Sequence, residues 1–359
     1  MTMQLLRCSF LFVLLFISNG FVFGQVDATK YLPANYSNKG DKDYTEYLQK
    51  AINENDKLLM PNFPILVNYK GLKLKSNSEI IFQKNAALIL TPSNTRSYEV
   101  LNIENVRNVK VINPTIYAER QERFQGKTRT GEWGMCIAIR SSENVSIRNA
   151  KLYNAWGDGI YLGKSNANKI TTNKNITIND SYIAGARRNG ISVTTAKGLR
   201  INNVTIENTK GKSPQAALDI EPNGRFDTID NIEINNLITK NNVFAILISL
   251  RKLIDIKPQS ISISIKNHKD EGSVQAFRYA GFNNAYQNID QLKPIQGQIV
   301  VENAFWTRNK GSFTYEDGKG LLPELIFYNL NTLYNNKRKS STDYQYISNK
   351  QRNIKFKTR

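Results

Sequence analysis

The sequence predicts an all-β fold built as a parallel β-solenoid. Three observations carry that expectation: one strand pattern recurs five times, a second short strand follows it in most units, and no helical period separates the two. The first copy is Asn108-Val109-Lys110-Val111-Ile112-Asn113, and the pattern returns at 144–149, 175–180, 198–203 and 231–236. Each copy alternates apolar and polar residues and ends in Asn or Asp at one offset. The second strands are 136–139, 159–162, 190–193, 217–220 and 245–248. Copies are spaced by 23 to 36 residues, so the shortest unit is close to one bare coil and the excess of the others must leave as loops. Stacked coils would pile Ile, Val and Leu into an inner ladder. Asn113, Asn149, Asp180, Asn203 and Asn236 would stack at one corner, where amide side chains can satisfy turn backbone. A β-sandwich would instead need a hairpin turn roughly every 8–12 residues.

Along the chain, residues 1–24 read as a secretory signal peptide. Arg7 supplies the positive start, Leu11 to Ile17 the apolar run, and Val22-Phe23-Gly24 the cleavage site before Gln25. That run is too short to span a bilayer, and no later stretch is apolar enough, so the expectation is a secreted or periplasmic product with no membrane span. Cleavage removes Cys8 and leaves Cys136 alone, which excludes an intrachain disulfide. The single histidine, His268, excludes a multi-histidine metal centre and reads as a surface residue. Residues 25–335 form the solenoid and residues 336–359 a basic C-terminal tail, expected to be solvated. The formal net charge is +19, and the stretch from Lys337 to Arg359 holds eight Lys and Arg against one acid. Such a balance permits an acidic partner. No nucleic-acid motif accompanies it.

The repeat units, together with the segments 43–52 and 71–82, resemble the pectate-lyase-like right-handed parallel β-helix superfamily over about residues 40–305. The resemblance implies a right-handed, single-stranded parallel β-helix, a short N-terminal capping helix over 43–52, first strands over 71–82, and activity on polysaccharides. It transfers no catalytic motif. The Asp-Asp pair, Gly-His-Gly and Arg-Ile-Lys of the polygalacturonase branch are absent, and His268 follows Lys266-Asn267 in a polar stretch.

Candidate chemistry gathers where loops enter the second strands. With Gly159, Gly190 and Ala217 in register, Tyr161, Ser192 and Asp219 form one outward row, and Gly163, Thr194 and Glu221 the next. Asp219 and Glu221 then lie ~6.7 Å apart at Cα on one strand face, as an acid/base pair for glycoside hydrolysis requires. Asp158 is a third candidate carboxylate at the lip of that face. Arg187 and Arg188 are candidate substrate-binding cations, and Trp156, Trp133, Tyr161 and Glu132 candidate sugar contacts. The favoured reading is an exported glycoside hydrolase acting on an acidic polysaccharide, with no cofactor required. The alternatives are a lyase acting by β-elimination on a uronic acid, and a non-catalytic glycan-binding or surface-polysaccharide assembly protein. In the lyase, Asp158, Asp219 and Glu221 can bind Ca²⁺ through oxygen, and Arg187 or Arg188 would be the base. Oligomeric state is left open.

Overall fold

The computed structural model describes residues 24–121, 131–166, 172–280, 289–316, 320–334, 337–351 and 353–358. The expected signal peptide therefore lies outside the described residues, apart from Gly24. Among the described residues, the chain winds into three long sheets of 12, 11 and 9 strands. A central coil contributes one strand to each sheet, in parallel register with the coils before and after it. This is the solenoid the repeats predict. Among the described residues, no helix is long and apolar enough to cross a membrane.

A helix, Thr45–Glu54, closes the N-terminal end, burying Leu48, Ala51 and Ile52. It overlaps the segment expected to be helical, 43–52, with both ends displaced by two residues toward the C-terminus. The copies of the first pattern form the 12-stranded sheet, where Val109, Val145, Ile176, Leu199, Ile232, Ile263 and Ile299 are consecutive partners. All seven side chains are buried. Burying a Val, Leu or Ile side chain is worth roughly 1.5–3 kcal/mol, so an unbroken aliphatic column supplies the main cohesion between coils.

The asparagine corner is present and extends further than the five expected positions. Asn113, Asn149, Asp180, Asn203, Asn236, Asn267, Asn303 and Asn329 all hold a positive φ, between 52° and 57°. Asn and Asp tolerate this left-handed turn better than other residues with a Cβ. Their side chains bond to one another from coil to coil: Asn203 Nδ2 donates to Asp180 Oδ1, and Asn236 Nδ2 to Asn203 Oδ1, both at 2.9 Å. The turn backbone is satisfied separately, as where Asn203 N–H donates to the Asn235 carbonyl at 3.0 Å.

The 9-stranded sheet carries the second strands. Inward partners are Ile137, Ile160, Ile191, Leu218, Ile246, Phe277 and Phe313. The core thus turns from aliphatic to aromatic toward the C-terminus. There Phe277, Phe313, Phe327, Phe356 and Trp306 contact one another at ring separations of 5.0 to 6.0 Å.

Two expectations are corrected at this end. The basic segment is not a free tail. Ile354–Lys357 is the last strand of the 12-stranded sheet, and Lys337–Ser340 turns back antiparallel on Asn331–Tyr334. Ile347, Ile354 and Phe356 are buried there, which offsets the entropy of ordering a charged segment. His268 is not a surface residue either. It is fully buried, accepting from Trp306 Nε1 at Nδ1 (3.0 Å) and meeting Thr239 Oγ1 at Nε2 (2.9 Å). Thr239 Oγ1 donates onward to Asp270 Oδ1 at 2.6 Å, so it accepts from His268 Nε2–H, and the imidazole is neutral.

Candidate active site

The outward row of the 9-stranded sheet runs Asn102, Ala138, Tyr161, Ser192, Asp219, Leu247, Arg278 and Thr314 in strict register. The row Tyr161, Ser192, Asp219 is the one the repeat alignment predicts. Its setting is not: Tyr161, Ser192 and Asp219 face outward from the sheet yet are buried. Asn189 bonds to Ser192 and Asp219 from the preceding loop, and the Arg140 guanidinium lies over the Tyr161 ring. The strands enter the sheet through glycines for a steric reason. A Cβ on Gly159 would lie 2.7 Å from the Gly190 carbonyl oxygen, and one on Gly190 would lie 2.6 Å from that of Ala217.

At the centre, two buried carboxyls share one asparagine. Asn189 N–H donates to Asp158 Oδ1 at 3.1 Å, and Asn189 Nδ2 donates to Asp219 Oδ2 at 2.8 Å. Asp158 Oδ2 accepts from Arg188 Nη1 at 2.9 Å and from Ser192 Oγ at 2.8 Å. Both Asp158 oxygens are therefore committed to protein donors. Asp219 Oδ1 is buried with no hydrogen-bond partner.

The electrostatics separate the carboxyls. Burial, then the neighbouring Glu221 charge, push the Asp219 carboxyl well above the usual range, against the pull of Arg188. A protonated Oδ1 removes the cost of a buried charge. Burial also raises Asp158, opposed by Arg188 and by its hydrogen bonds. Burial alone would lower the Arg188 guanidinium, but the charges of Asp158, Asp219, Glu132 and Glu221 outweigh it and raise its pKa.

Glu221 lies two residues beyond Asp219 and faces an open groove of about 400 Å³. That groove is lined by Glu132, Arg188, Glu221, Arg251, Arg278 and Glu316 among others. Arg251 Nη2 pairs with Glu221 Oε1 at 3.2 Å, and Arg278 Nη2 with Glu316 Oε1 at 3.0 Å. The repeat alignment missed Arg251, Arg278 and Glu316. The strand Gln275–Ala280 carries the same alternation, and aligning it would have put Arg278 in the row.

The expected substrate contacts divide. Trp133 is 43% exposed, with the Arg188 guanidinium 5.1 Å from its ring centre. Glu132 lines the groove and lies 3.7 Å from Lys212 Nζ. Trp156 and Arg187, by contrast, are internal. Trp156 is 1% exposed and donates from Nε1 to the Gly131 carbonyl. Arg187 stacks 3.6 Å from the Trp156 ring centre and donates to the Trp156 and Gly131 carbonyls at 2.7 and 2.8 Å. A buried arginine that gives two of its N–H groups to backbone oxygens and stacks on an indole braces the loops, and it does not line the groove.

The cluster does not fit Ca²⁺. That ion needs six to eight oxygens at one centre, whereas Asp158 is occupied by donors and Asp219 Oδ2 by Asn189. Nor is either arginine placed as a base: Arg187 is bonded as described, and Arg188 is held charged by its carboxylate neighbours.

Comparison with known proteins agrees with this architecture. Residues 52–221 match the family described as the right handed beta helix region. An uncharacterized Bacillus subtilis (strain 168) protein, YclG, is 26% identical over 231 residues, covering 62% of this chain and 39% of that protein. The chain spans well under half the length of the curated relatives it matches. Among solved structures, an iota-carrageenase complexed to iota-carrageenan fragments aligns with a TM-score of 0.60 at 14% identity, over 79% of this chain and 74% of that one. Endo-xylogalacturonan hydrolase from Aspergillus tubingensis aligns with a TM-score of 0.53 at 13% identity, over 80% and 93%. The fold is the right-handed parallel β-helix, and the resemblance in sequence holds at that level.

Proposed function

We propose that the chain is an exported glycoside hydrolase that cleaves an acidic polysaccharide along the outer face of the 9-stranded sheet. One observation carries the reading: Asp219, buried near the end of the strand Ala216–Ile220 with its pKa pushed well above the usual carboxylate range by burial and by Glu221, stands two residues from Glu221, which lies just past that strand and lines the groove. Glycoside hydrolysis needs that asymmetry, one acid for the leaving oxygen and one carboxylate for water or for the sugar carbon. Asp219 Oδ1 is the donor atom and Glu221 the base or nucleophile. Asp158 is a positioning residue, fixing Arg188 over the groove. Held there, Arg188 lines the groove and presents its charge to an anionic group on the sugar. The named activities of the structurally similar iota-carrageenase and xylogalacturonan hydrolase are consistent with a polysaccharide track on this face.

Hydrolysis is favoured over β-elimination by the two arginines, neither of which is placed to abstract a proton. The test is a screen of purified protein on uronic-acid and sulfated polysaccharides, reading new reducing ends and near-ultraviolet absorbance of unsaturated products. Hydrolysis gives the first signal without the second. Saturable binding with no fall in polymer size would instead establish a glycan-binding protein.

A further inference from the structure

A second hollow lies on the same sheet face, on the N-terminal side of the carboxyl cluster. Its volume is about 600 Å³, within the range of pockets that hold small ligands. Trp133 lines it, and the adjacent Glu132 lines the groove, so the two depressions meet at this pair. Along the register row, Asn102 in the hollow is four coils from Asp219, ~19 Å at the usual strand spacing.

The hollow is built from paired groups. Arg140 Nε donates to Glu99 Oε1 at 2.7 Å, and Asn102 Nδ2 donates to Glu99 Oε2 at 2.5 Å. The Arg140 guanidinium lies 4.5 Å from the centre of the Tyr161 ring. The ring rests across Gly163, where a Cβ would come within 2.3 Å of it. This is the work of an outward tyrosine that the cover of the sheet keeps from open solvent. Lining charges balance, with Lys70 and Arg140 against Glu99 and Glu104. An anionic sugar would meet two carboxylates here, one of them tied to the cation it would need. A neutral ring meets donors and acceptors suited to hydroxyl groups, beside an exposed indole edge.

We propose that this hollow is a subsite for an uncharged pyranose ring, held by Asn102, the Glu99–Arg140 pair and Trp133. It rests on the reading of the sheet face as a polysaccharide track, and it sharpens the substrate class to a polymer with both neutral and anionic residues.

The test uses the full chain with two sets of probes, the neutral disaccharides lactose, cellobiose and maltose, and the acidic disaccharide digalacturonate. Ligand-observed saturation-transfer NMR detects binding. Tryptophan fluorescence reports binding beside Trp133, the exposed one of the three tryptophans, and the Asn102→Ala arm assigns it to the hollow. At least one neutral disaccharide binds, and Asn102→Ala or Trp133→Ala weakens it at least tenfold with an unchanged melting curve. Absence of any neutral binding, or neutral binding that survives both substitutions, overturns the subsite. The digalacturonate arm separates the two ideas: if it fails to bind while neutral binding depends on Asn102 and Trp133, the acidic-substrate reading falls and the subsite stands.

Discussion

The Asn189 amide donates to one oxygen of Asp219 at 2.8 Å, and the other oxygen of Asp219 is buried with no hydrogen-bond partner. That asymmetry distinguishes the two oxygens: Oδ2 is claimed by a protein donor and Oδ1 is left as the oxygen that can carry a proton. The same Asn189 accepts from Ala216 N–H at 3.0 Å and donates to Ser192 Oγ at 2.9 Å, so one amide fixes the acid relative to the strand that carries it.

Asp219→Asn keeps the shape and removes the titration. The wild-type carboxyl has a folded pKa raised above its unfolded value, through burial and Glu221. It therefore costs no stability below about pH 3.8, and destabilises as pH rises through the folded value. The variant gains stability over wild type at pH 8 and loses that advantage at pH 4, as denaturant unfolding would show. Hydrolysis falls about 100-fold or more, the usual weight of a general acid. Full activity would remove Asp219 from the mechanism.

Asn189→Ala deprives Asp219 Oδ2, Ser192 and the Ala216 N–H of partners. Stability drops by about 1–3 kcal/mol, the cost of stranding buried polar groups. Because the lost bond lowers the pKa of Asp219, the alkaline limb of the pH–activity profile moves to higher pH. A stability loss with an unmoved profile would show that Asn189 acts on the fold alone.

Trp156→Ala and Trp133→Ala separate brace from platform. Trp156 is buried under Arg187, and its truncation costs about 3–5 kcal/mol in chemical unfolding. Trp133→Ala leaves unfolding nearly unchanged and reduces oligosaccharide affinity. The opposite pattern would reverse the assignment.

His268 provides an acid-side test of the core. Burial drives its pKa from 6.5 to about 3. The folded state excludes a proton that the unfolded chain accepts, so the histidine's contribution to stability is lost as pH falls from about 6.5 toward 3, at roughly 1.4 kcal/mol per pH unit. The difference in unfolding free energy between wild type and His268→Gln narrows over that interval. A constant difference would mean that His268 titrates normally.

Much of this architecture is legible in the repeats. Period-two alternation sets which side chains line the interior, and the Asn or Asp at a fixed offset marks the corner, because left-handed turns select those residues wherever the coil bends. Register then follows: placing Ile160, Ile191 and Leu218 together puts Ser192 beside Asp219. Burial is not legible in the same way. Alternation distinguishes inward from outward, but outward residues are exposed only where nothing folds over them. Trp156 and Arg187 sit in loops without a repeat pattern, and composition alone does not tell a bracing arginine from a binding one. His268 was obscured by its polar neighbours, because its burial depends on Thr239 and Trp306 in adjacent coils. The candidate acid and its partner were legible, whereas Arg251, Glu316 and Asn189 enter through turns whose geometry the repeat does not encode.

A stack of coils ends in strands whose outer N–H and C=O groups lack partners, and such an edge can recruit another chain. In this protein the 11-stranded sheet finishes with Lys337, Arg338 and Lys339 on its reversed final strand, and the 12-stranded sheet finishes with Lys355 and Lys357. The basic C-terminal segment, expected from composition to be a solvated tail, thus places charged side chains on two outermost strands, where they disfavour pairing with a further strand.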